Sequence, residues 1–293
     1  MAVAAEIAIA QRDRYEQLWV ALTARQRRLV VRALAQIEAE LARAPAGSWT
    51  AARSAAVLTQ LAGAVRGLSA RQLSLLRRAL PKIAAQAQRD TVAWFETLDR
   101  DFLGAAQPLR WAALEWLEGY SRPLLQSRLR IYRASFARYG AETVSTIEDE
   151  VAKTVLFGEG WDTARESVWK ATKHIVEDRQ WMVDRIVRTE TATVYNSTTM
   201  AALLEEDEPD DPMLKKLVAV FDPVTGTDSK LLHGQTRRVT ELFTDVLRGR
   251  KFDAPPNRPN DREIVVGWRA SWGSDRSFDQ ATRRESDEVV SSG

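Results

Sequence analysis

A helical pattern runs almost unbroken through the first 205 residues, and no other feature constrains the fold as strongly. Alanine, leucine, arginine, glutamine and glutamate dominate residues 5–44, and these amino acids are strong helix formers. Apolar side chains recur there at helical spacing from Leu18 to Leu41. The pattern predicts a mainly α protein with an extended multi-helix N-terminal region.

Proline, glycine and other breaker residues predict where these helices end. Pro81 is expected to kink a helix or make it restart, because proline lacks the backbone N–H that a helix interior needs. Gly140 is expected to end a helix, and Pro123 to bend one. The predicted helices are 5–44, 50–67, 69–80 with a continuation to 101, 109–139, 141–157, 161–173 and 177–204.

The pattern of residue types changes after Pro212, where two runs of β-branched and apolar residues predict short strands. Turn-forming and proline-rich segments between them predict loops, and residues 237–242 fit either a strand or a short helix. The polar segment from Ser271 onward predicts a tail. The predicted strands are 217–221 and 263–268, and the predicted turn and loop are 222–228 and 254–262.

These patterns together predict a mainly α fold with a small α+β module and a polar C-terminal tail. We expect four regions in chain order. They are an N-terminal helical region at 1–105, a central helical region at 106–210, a small α+β module at 211–270 and a polar tail at 271–293.

The composition removes several kinds of chemistry. The chain has no cysteine and two histidines, His174 and His233, which excludes disulfides, thiolate metal sites and cysteine nucleophiles. The N-terminus lacks the basic start of a secretory signal, and no apolar run approaches the roughly 20 residues that span a bilayer. We therefore expect a soluble protein of a reducing cytoplasm, with no membrane partner.

A net charge of +2 conceals two oppositely charged halves. Residues 1–140 contain 21 basic and 11 acidic side chains, whereas residues 141–293 contain 21 basic and 29 acidic ones. One interpretation is that these charges form solvated helix faces. The other places the basic half near nucleic acid or an acidic protein.

A basic helix at 71–89 and several tryptophans are candidate partner contacts. The helix is amphipathic, so its arginines could form a solvated face, touch DNA phosphates or lie on a membrane, and the solvated face is the simplest interpretation. Tryptophans on apolar helix faces fit core packing, and some could anchor a protein interface. The candidate partner contacts are Arg71, Arg77, Arg78, Trp94, Trp111 and Trp116.

Glu190 lies in the middle of an apolar stripe on the last long helix. At 100° per residue, Val187 and Val194 fall within about 60° of it. A buried carboxylate is costly unless it is paired or hydrogen-bonded, which favours a structural role. A catalytic role would need a second acid or a base nearby, and the sequence does not indicate one. Arg188 lies about 160° from Glu190, so a pair between them is not expected.

Three segments, taken in order, carry a resemblance to a known family. These segments resemble the signature of the phage head-morphogenesis family. They are RTETATVYNS (188–197), FDPVTGTDSKLLHGQ (221–235) followed by Phe243, and APPNRPNDREIVV (254–266). Members of the family are minor head proteins of tailed phages, typified by the F protein of phage Mu. The resemblance covers about residues 160–268. The residues that we assign to its structural module are Arg188, Glu190, Asn196, Asp222, Thr225, Gly234, Gln235, Pro255, Pro256, Arg258 and Arg262.

The chain departs from the family where many members carry cysteines and a histidine that resemble a metal site. The residues at those positions here are Gly226, Ser229, Arg258, Asp261 and Glu263. Asp228, Asp261 and Glu263 are a candidate set for a hard cation. We favour instead a module without a metal, held by hydrogen bonds and ion pairs. The expected network sets Arg258 and Arg262 against Asp222, Asp228 and Glu190.

The resemblance implies a structural minor capsid protein of a tailed bacteriophage or prophage, which docks on the portal or inner head and aids head assembly, DNA packaging or ejection. Portal, capsid and neck proteins are the implied partners, and packaged double-stranded DNA is a further candidate. The implied location is the host cytoplasm during assembly and then the virion head. No enzyme activity, cofactor or small-molecule substrate is expected. Two alternatives stay open: a DNA-binding accessory head protein that uses the basic N-terminal half, and an enzyme or toxin-related effector carried in the head.

Overall fold

The computed structural model describes residues 2–43, 51–112, 114–156, 161–219, 225–259 and 261–273. Across these residues, long helices precede a small antiparallel sheet, so the predicted mainly α fold with a small α+β module is confirmed. The long helices are α1 (Ala2–Arg43), α2 (Ala51–Leu103), α3 (Leu114–Leu156), α4 (Trp161–Asp178) and α5 (Gln180–Glu205).

Helix α2 is longer than the sequence predicted, since it runs without a break through Gly67 and Pro81. An interior proline costs a helix about 3 kcal/mol or more, so tertiary packing must compensate. Leu76, Leu80 and Ile83 around the proline are all buried, and burial of such a side chain contributes roughly 1.5–3 kcal/mol. The predicted break after Gly67 is therefore wrong, and Pro81 does not end the helix.

Helix α3 likewise continues through Gly140, where the sequence predicted an end. Gly140 faces Ser69 on α2, and a Cβ atom added at Gly140 would lie 3.1 Å from the Ser69 hydroxyl oxygen. Glycine at this position allows two helices to approach each other closely and does not stop either of them.

The C-terminal module contains a three-stranded antiparallel sheet and a short hairpin. Its strands are β1 (Met213–Val218), β2 (Thr236–Arg238), β3 (Phe243–Thr244), β4 (Lys251–Phe252) and β5 (Ile264–Arg269), and its helix α6 is Thr227–Leu232. Strand β1 lies between β2 and β5, with Lys215 opposite Arg237 on one side and Gly267 on the other. Strands β3 and β4 form the hairpin.

Strand β1 begins at Met213, before the predicted start at 217, and so includes Lys215 and Lys216. Both lysines are buried. The Lys215 ammonium lies 2.5 Å from a carboxylate oxygen of Asp253 and 4.9 Å from the ring centre of Phe243. These contacts compensate the buried charge, and they explain how Lys215 can occupy a buried strand position before the predicted apolar run.

Strand β5 matches the second predicted strand to within one residue at each end. Regular structure extends past 271, where the sequence predicted the tail to begin, because Ala270–Trp272 forms a short 3-10 helix. Trp272 is buried, and its indole N–H donates to an Asp99 carboxylate oxygen at 2.9 Å. The rest of the predicted tail, residues 274–293, lies outside the described residues.

The structure divides into two compact units, each assembled from separate stretches of chain. Unit 1 consists of Met1–Ala21, Leu80–Leu125 and Ile186–Gly293, and unit 2 consists of Leu22–Ala79 and Gln126–Arg185. The linear boundaries expected at 105 and 210 do not coincide with this division. The C-terminal module lies entirely in unit 1.

Buried apolar side chains pack within each of the two units. In unit 1, the Phe95 ring makes edge contacts with Trp111 and Trp272 at centroid distances of 5.7 and 5.2 Å. In unit 2, aliphatic side chains such as Leu61 and Ile147 form the core. Within the described ranges, no helix combines the length and the apolar character needed to cross a bilayer.

Candidate functional site

Helix α5 contacts strand β5 through Asn196, one of the residues assigned to the structural module. The Asn196 side chain is fully buried. Its amide N–H donates to the Glu263 backbone carbonyl at 3.0 Å, and its side-chain oxygen accepts the Val265 N–H at 2.9 Å. One side chain thus satisfies a backbone acceptor and a backbone donor, and this fixes α5 against the sheet.

Glu190 is buried on α5, as its place in the apolar stripe predicted. Arg188, on the same helix, contacts α1, since its guanidinium carbon lies 4.2 Å from the ring centre of Trp19. A guanidinium stacked on an indole ring is a cation–π contact. The Arg188 side chain therefore has an aromatic partner on α1.

Gly234 and Gln235 form the turn between α6 and β2. Gly234 has a φ of +77°, in the left-handed region that favours glycine. The Gln235 side chain donates to the Thr244 carbonyl at 3.0 Å and accepts the Thr244 N–H at 2.8 Å, which ties the hairpin to the turn. His233 occupies the preceding turn position, where its Nδ1 accepts the Ala219 N–H at 3.1 Å.

The proline-rich loop is closed by Asp261. Pro255 and Pro256 are joined by a cis peptide bond. One carboxylate oxygen of Asp261 accepts the backbone N–H groups of Asn257 and Arg258 at 2.9 and 3.0 Å. The two N–H groups that follow the prolines belong to neither a helix nor a strand, so a side chain must accept their hydrogen bonds. Asp261 supplies that acceptor.

Arg258 connects this loop to α6. Its Nε donates to Asp261 at 2.6 Å. Its two terminal nitrogens donate to an Asp228 carboxylate oxygen and, at 2.6 Å, to the Ser229 hydroxyl. A Glu263 carboxylate oxygen lies 3.8 Å from the same group. The expected pairing of Arg258 with Asp228 is present.

This arrangement bears directly on the candidate hard-cation set. Among the described residues, no group of three or more histidine, aspartate or glutamate side chains is placed to hold a metal ion. The carboxylates of Asp228, Asp261 and Glu263 instead surround the positive charge of Arg258. These three carboxylates are therefore paired with Arg258.

Asp261 and Glu263 place two carboxyl groups in a buried environment. Burial and the nearby Glu263 charge raise the pKa of Asp261 from 3.8 to about 7, while Arg258 opposes the shift. Burial also raises the pKa of Tyr15 on α1, and the Glu263 charge adds to that shift. A perturbed carboxyl is typical both of active sites and of structural ion-pair networks. The oxygens of Asp261 are engaged with the loop backbone and Arg258, which favours the structural role.

Arg262 joins the module to α1. It donates to the Thr225 hydroxyl at 2.9 Å and pairs with Glu16 at 3.2 Å. The sequence predicted acidic partners within the module for this arginine and did not indicate Glu16, which precedes it by 246 residues. Asp222, the remaining assigned residue, lies outside the described residues.

The candidate partner contacts divide into exposed and buried groups. Arg71, Arg77 and Arg78 are exposed. Trp94 and Trp111 are buried, and the Trp94 indole N–H donates to the Gly267 carbonyl at 2.8 Å. These two tryptophans are core residues and not surface anchors, because no surface remains for a partner to reach. Trp116 is half-buried and stacks on Tyr120 at a centroid distance of 5.4 Å.

Asp90 on α2 organises a polar cluster that the sequence analysis missed. Its buried carboxylate accepts from the Tyr195 hydroxyl at 2.7 Å, from Arg14 at 2.8 Å and from Gln86 at 3.0 Å. A signal existed, because Asp90 lies at helical spacing from the apolar residues Ile83 and Ala87. The helical spacing that places Glu190 in an apolar stripe likewise places Asp90 on a buried face of α2.

No family model, no curated protein and no solved structure matches the chain. The interpretation of the module therefore depends on its own residues and contacts.

Proposed function

We propose that the chain is a structural minor capsid protein of a tailed bacteriophage or prophage, which docks on the portal and inner head and aids head assembly. The observation that carries the proposal is the convergence of the signature segments. Asn196 from the first segment binds the backbone of the third, and Arg258 from the third binds Asp228 of the second. Segments that resemble the family in sequence thus form one structural unit.

The contacts of these residues support a role in docking. The side chains of Asn196 and Gln235 bind backbone groups, and that of Asp261 holds the loop after the prolines. Each of these polar groups fixes a segment of chain in place. A rigid module of this kind suits a component that must present a constant surface to a symmetric partner ring.

Co-expression with the portal protein of the same phage or prophage tests the proposal. The full chain is expected to co-purify with the portal ring and to sediment with capsids that assemble in its presence. A chain that stays separate from the portal and is absent from assembled capsids would contradict the proposal.

Glu190→Gln separates this function from that of an enzyme. A buried structural carboxylate that loses its charge is expected to lower the melting temperature or to impair incorporation into heads. An enzyme would keep its fold and its incorporation and would lose a reaction. Thermal unfolding and capsid sedimentation of the same variant therefore distinguish the two.

A further inference from the structure

A basic groove runs along unit 2 between residues 70–77 of α2 and 126–133 of α3. Its volume is about 750 Å³. Leu73 and Leu129 supply apolar lining, and Arg77, Arg130 and Arg133 supply the charge. All three arginines are exposed, and none of the described residues that line the groove is acidic.

The three groove arginines make no ion pair or hydrogen bond with any residue in the described part of the chain. Other arginines of the same unit do have carboxylate partners. Arg27 pairs with Asp184 at 2.8 Å, and Arg179 pairs with Glu142 at 2.8 Å. The groove therefore concentrates positive charge that the surrounding structure does not neutralise.

The charge extends beyond the groove along both helices. Residues 66–78 and 126–140 contain no aspartate or glutamate. At 1.5 Å per residue, the arginines extend over about 18 Å of α2 and about 15 Å of α3. The arginines of these two segments are Arg66, Arg71, Arg77, Arg78, Arg128, Arg130, Arg133 and Arg138.

We propose that this groove binds the phosphate backbone of double-stranded nucleic acid without reading its sequence. Guanidinium groups pair with phosphate oxygens in fork-like geometry, and duplex DNA presents a continuous line of such charges. The described lining contains no aromatic side chain on which an unpaired base could stack, so the contact is with the backbone of a duplex.

An acidic protein segment is the competing occupant. It would fill the groove, but its contacts would be confined to the groove itself. The arginines continue past the lining at one end of the groove, at Arg66 and Arg138, and a long polyanion uses this extended charge. The inference goes beyond the proposed head-assembly function and does not depend on it.

Fluorescence anisotropy with the full chain and labelled 30-base-pair duplexes of two unrelated sequences tests the proposal. Both duplexes are expected to bind equally, with an affinity that falls steeply as NaCl rises. The groove variant R77Q/R130Q/R133Q is expected to bind about tenfold more weakly or worse. Its slope of log affinity against log salt should be shallower by about 2.7, since each phosphate contact contributes about 0.9.

The matched control is R25Q/R28Q/R32Q, which removes three exposed arginines from α1 in the same unit. This variant has the same net charge as the groove variant and should retain the wild-type salt slope. Thermal unfolding checks that both variants remain folded, as expected for exposed side chains.

Three outcomes would overturn the proposal. The wild-type chain could fail to bind duplex, or both triple variants could lose affinity equally, which would mean that only net charge matters. Polyglutamate of equal charge could bind more tightly than duplex and lose that binding in the groove variant alone, which would assign the groove to an acidic protein.

Discussion

The side-chain oxygen of Asn196 accepts the backbone N–H of Val265 at 2.9 Å, in the buried interface between α5 and β5. The amide N–H of the same side chain donates to the Glu263 carbonyl. Among the described strands, β5 is at the edge of its sheet, because β1 is its only neighbour there. The asparagine therefore takes the place that a further strand would occupy, and α5 covers the edge at this point.

Asn196→Ala should destabilise the protein by about 2–4 kcal/mol, because it leaves a buried N–H and a buried carbonyl without partners. The matched control is Thr193→Ala on the same helix, whose hydroxyl donates only to the Thr189 carbonyl of α5 itself. The control should cost less than about 1 kcal/mol. Urea unfolding of the two variants measures the difference, and equal losses would show that the Asn196 contacts contribute little.

Arg258→Gln should destabilise the C-terminal module severely. The substitution leaves the carboxylates of Asp228, Asp261 and Glu263 close together without the guanidinium that separates them. Loss of one partner from a buried ion-pair network costs about 3–5 kcal/mol. Arg250→Gln is the matched control, since Arg250 is exposed in the same module. Thermal unfolding should give a clearly lower melting temperature for Arg258→Gln than for the control. Equal melting temperatures would refute the central role of Arg258.

The pKa of Asp261 predicts that its contribution to stability declines as the pH rises. Burial and Glu263 raise that pKa from 3.8 to about 7 in the folded chain, so the folded state holds the proton more tightly than the unfolded state. The contribution is therefore complete below about pH 4 and lost as the pH passes about 7. At 1.36 kcal/mol per pKa unit, it amounts to at most about 4 kcal/mol.

Urea unfolding at pH 4.5 and pH 7.5 checks this pH dependence. The wild-type chain should lose more of its free energy of unfolding between these two values than the Asp261→Asn variant, which cannot titrate at this position. Parallel changes in the two chains would mean that Asp261 is ionised in the folded state throughout this range.

Local patterns were sufficient to predict the features that depend on neighbours in the sequence. The burial of Glu190 follows from helical periodicity, because the stripe around it lies within a few turns. Strand β5 follows from its β-branched run, and the turn at Gly234 from its composition. The pairing of Arg258 with Asp228 was expected because the resemblance aligned both segments.

Features that depend on distant partners were not predictable in this way. Lys215 is tolerated inside β1 because Asp253 meets it 38 residues later. Pro81 remains inside a helix because the apolar side chains around it are buried. Tyr195 binds Asp90 across 105 residues of sequence, and neither residue indicates the other. The partners of Lys215 and Tyr195 come from distant segments, and the burial around Pro81 depends on tertiary packing. A pattern along one segment carries no information about either.

Close packing at Gly267 gives the sharpest test of the contact between α5 and the sheet. A Cβ atom at Gly267 would overlap the Leu203 side chain and lie 3.3 Å from the Met213 sulfur. Gly267→Ala should therefore cost about 1–3 kcal/mol through overpacking. Leu203→Ala alone should cost about 2–5 kcal/mol, because it removes buried carbon atoms and leaves a cavity.

The two substitutions should compensate each other when they are combined. Leu203→Ala clears the space that the methyl group of Gly267→Ala needs, so the double variant should be more stable than the sum of the single losses predicts. We expect a favourable coupling of at least about 1 kcal/mol in a double-mutant cycle measured by urea unfolding. Strict additivity would contradict this packing, because two side chains that do not share space have no reason to couple.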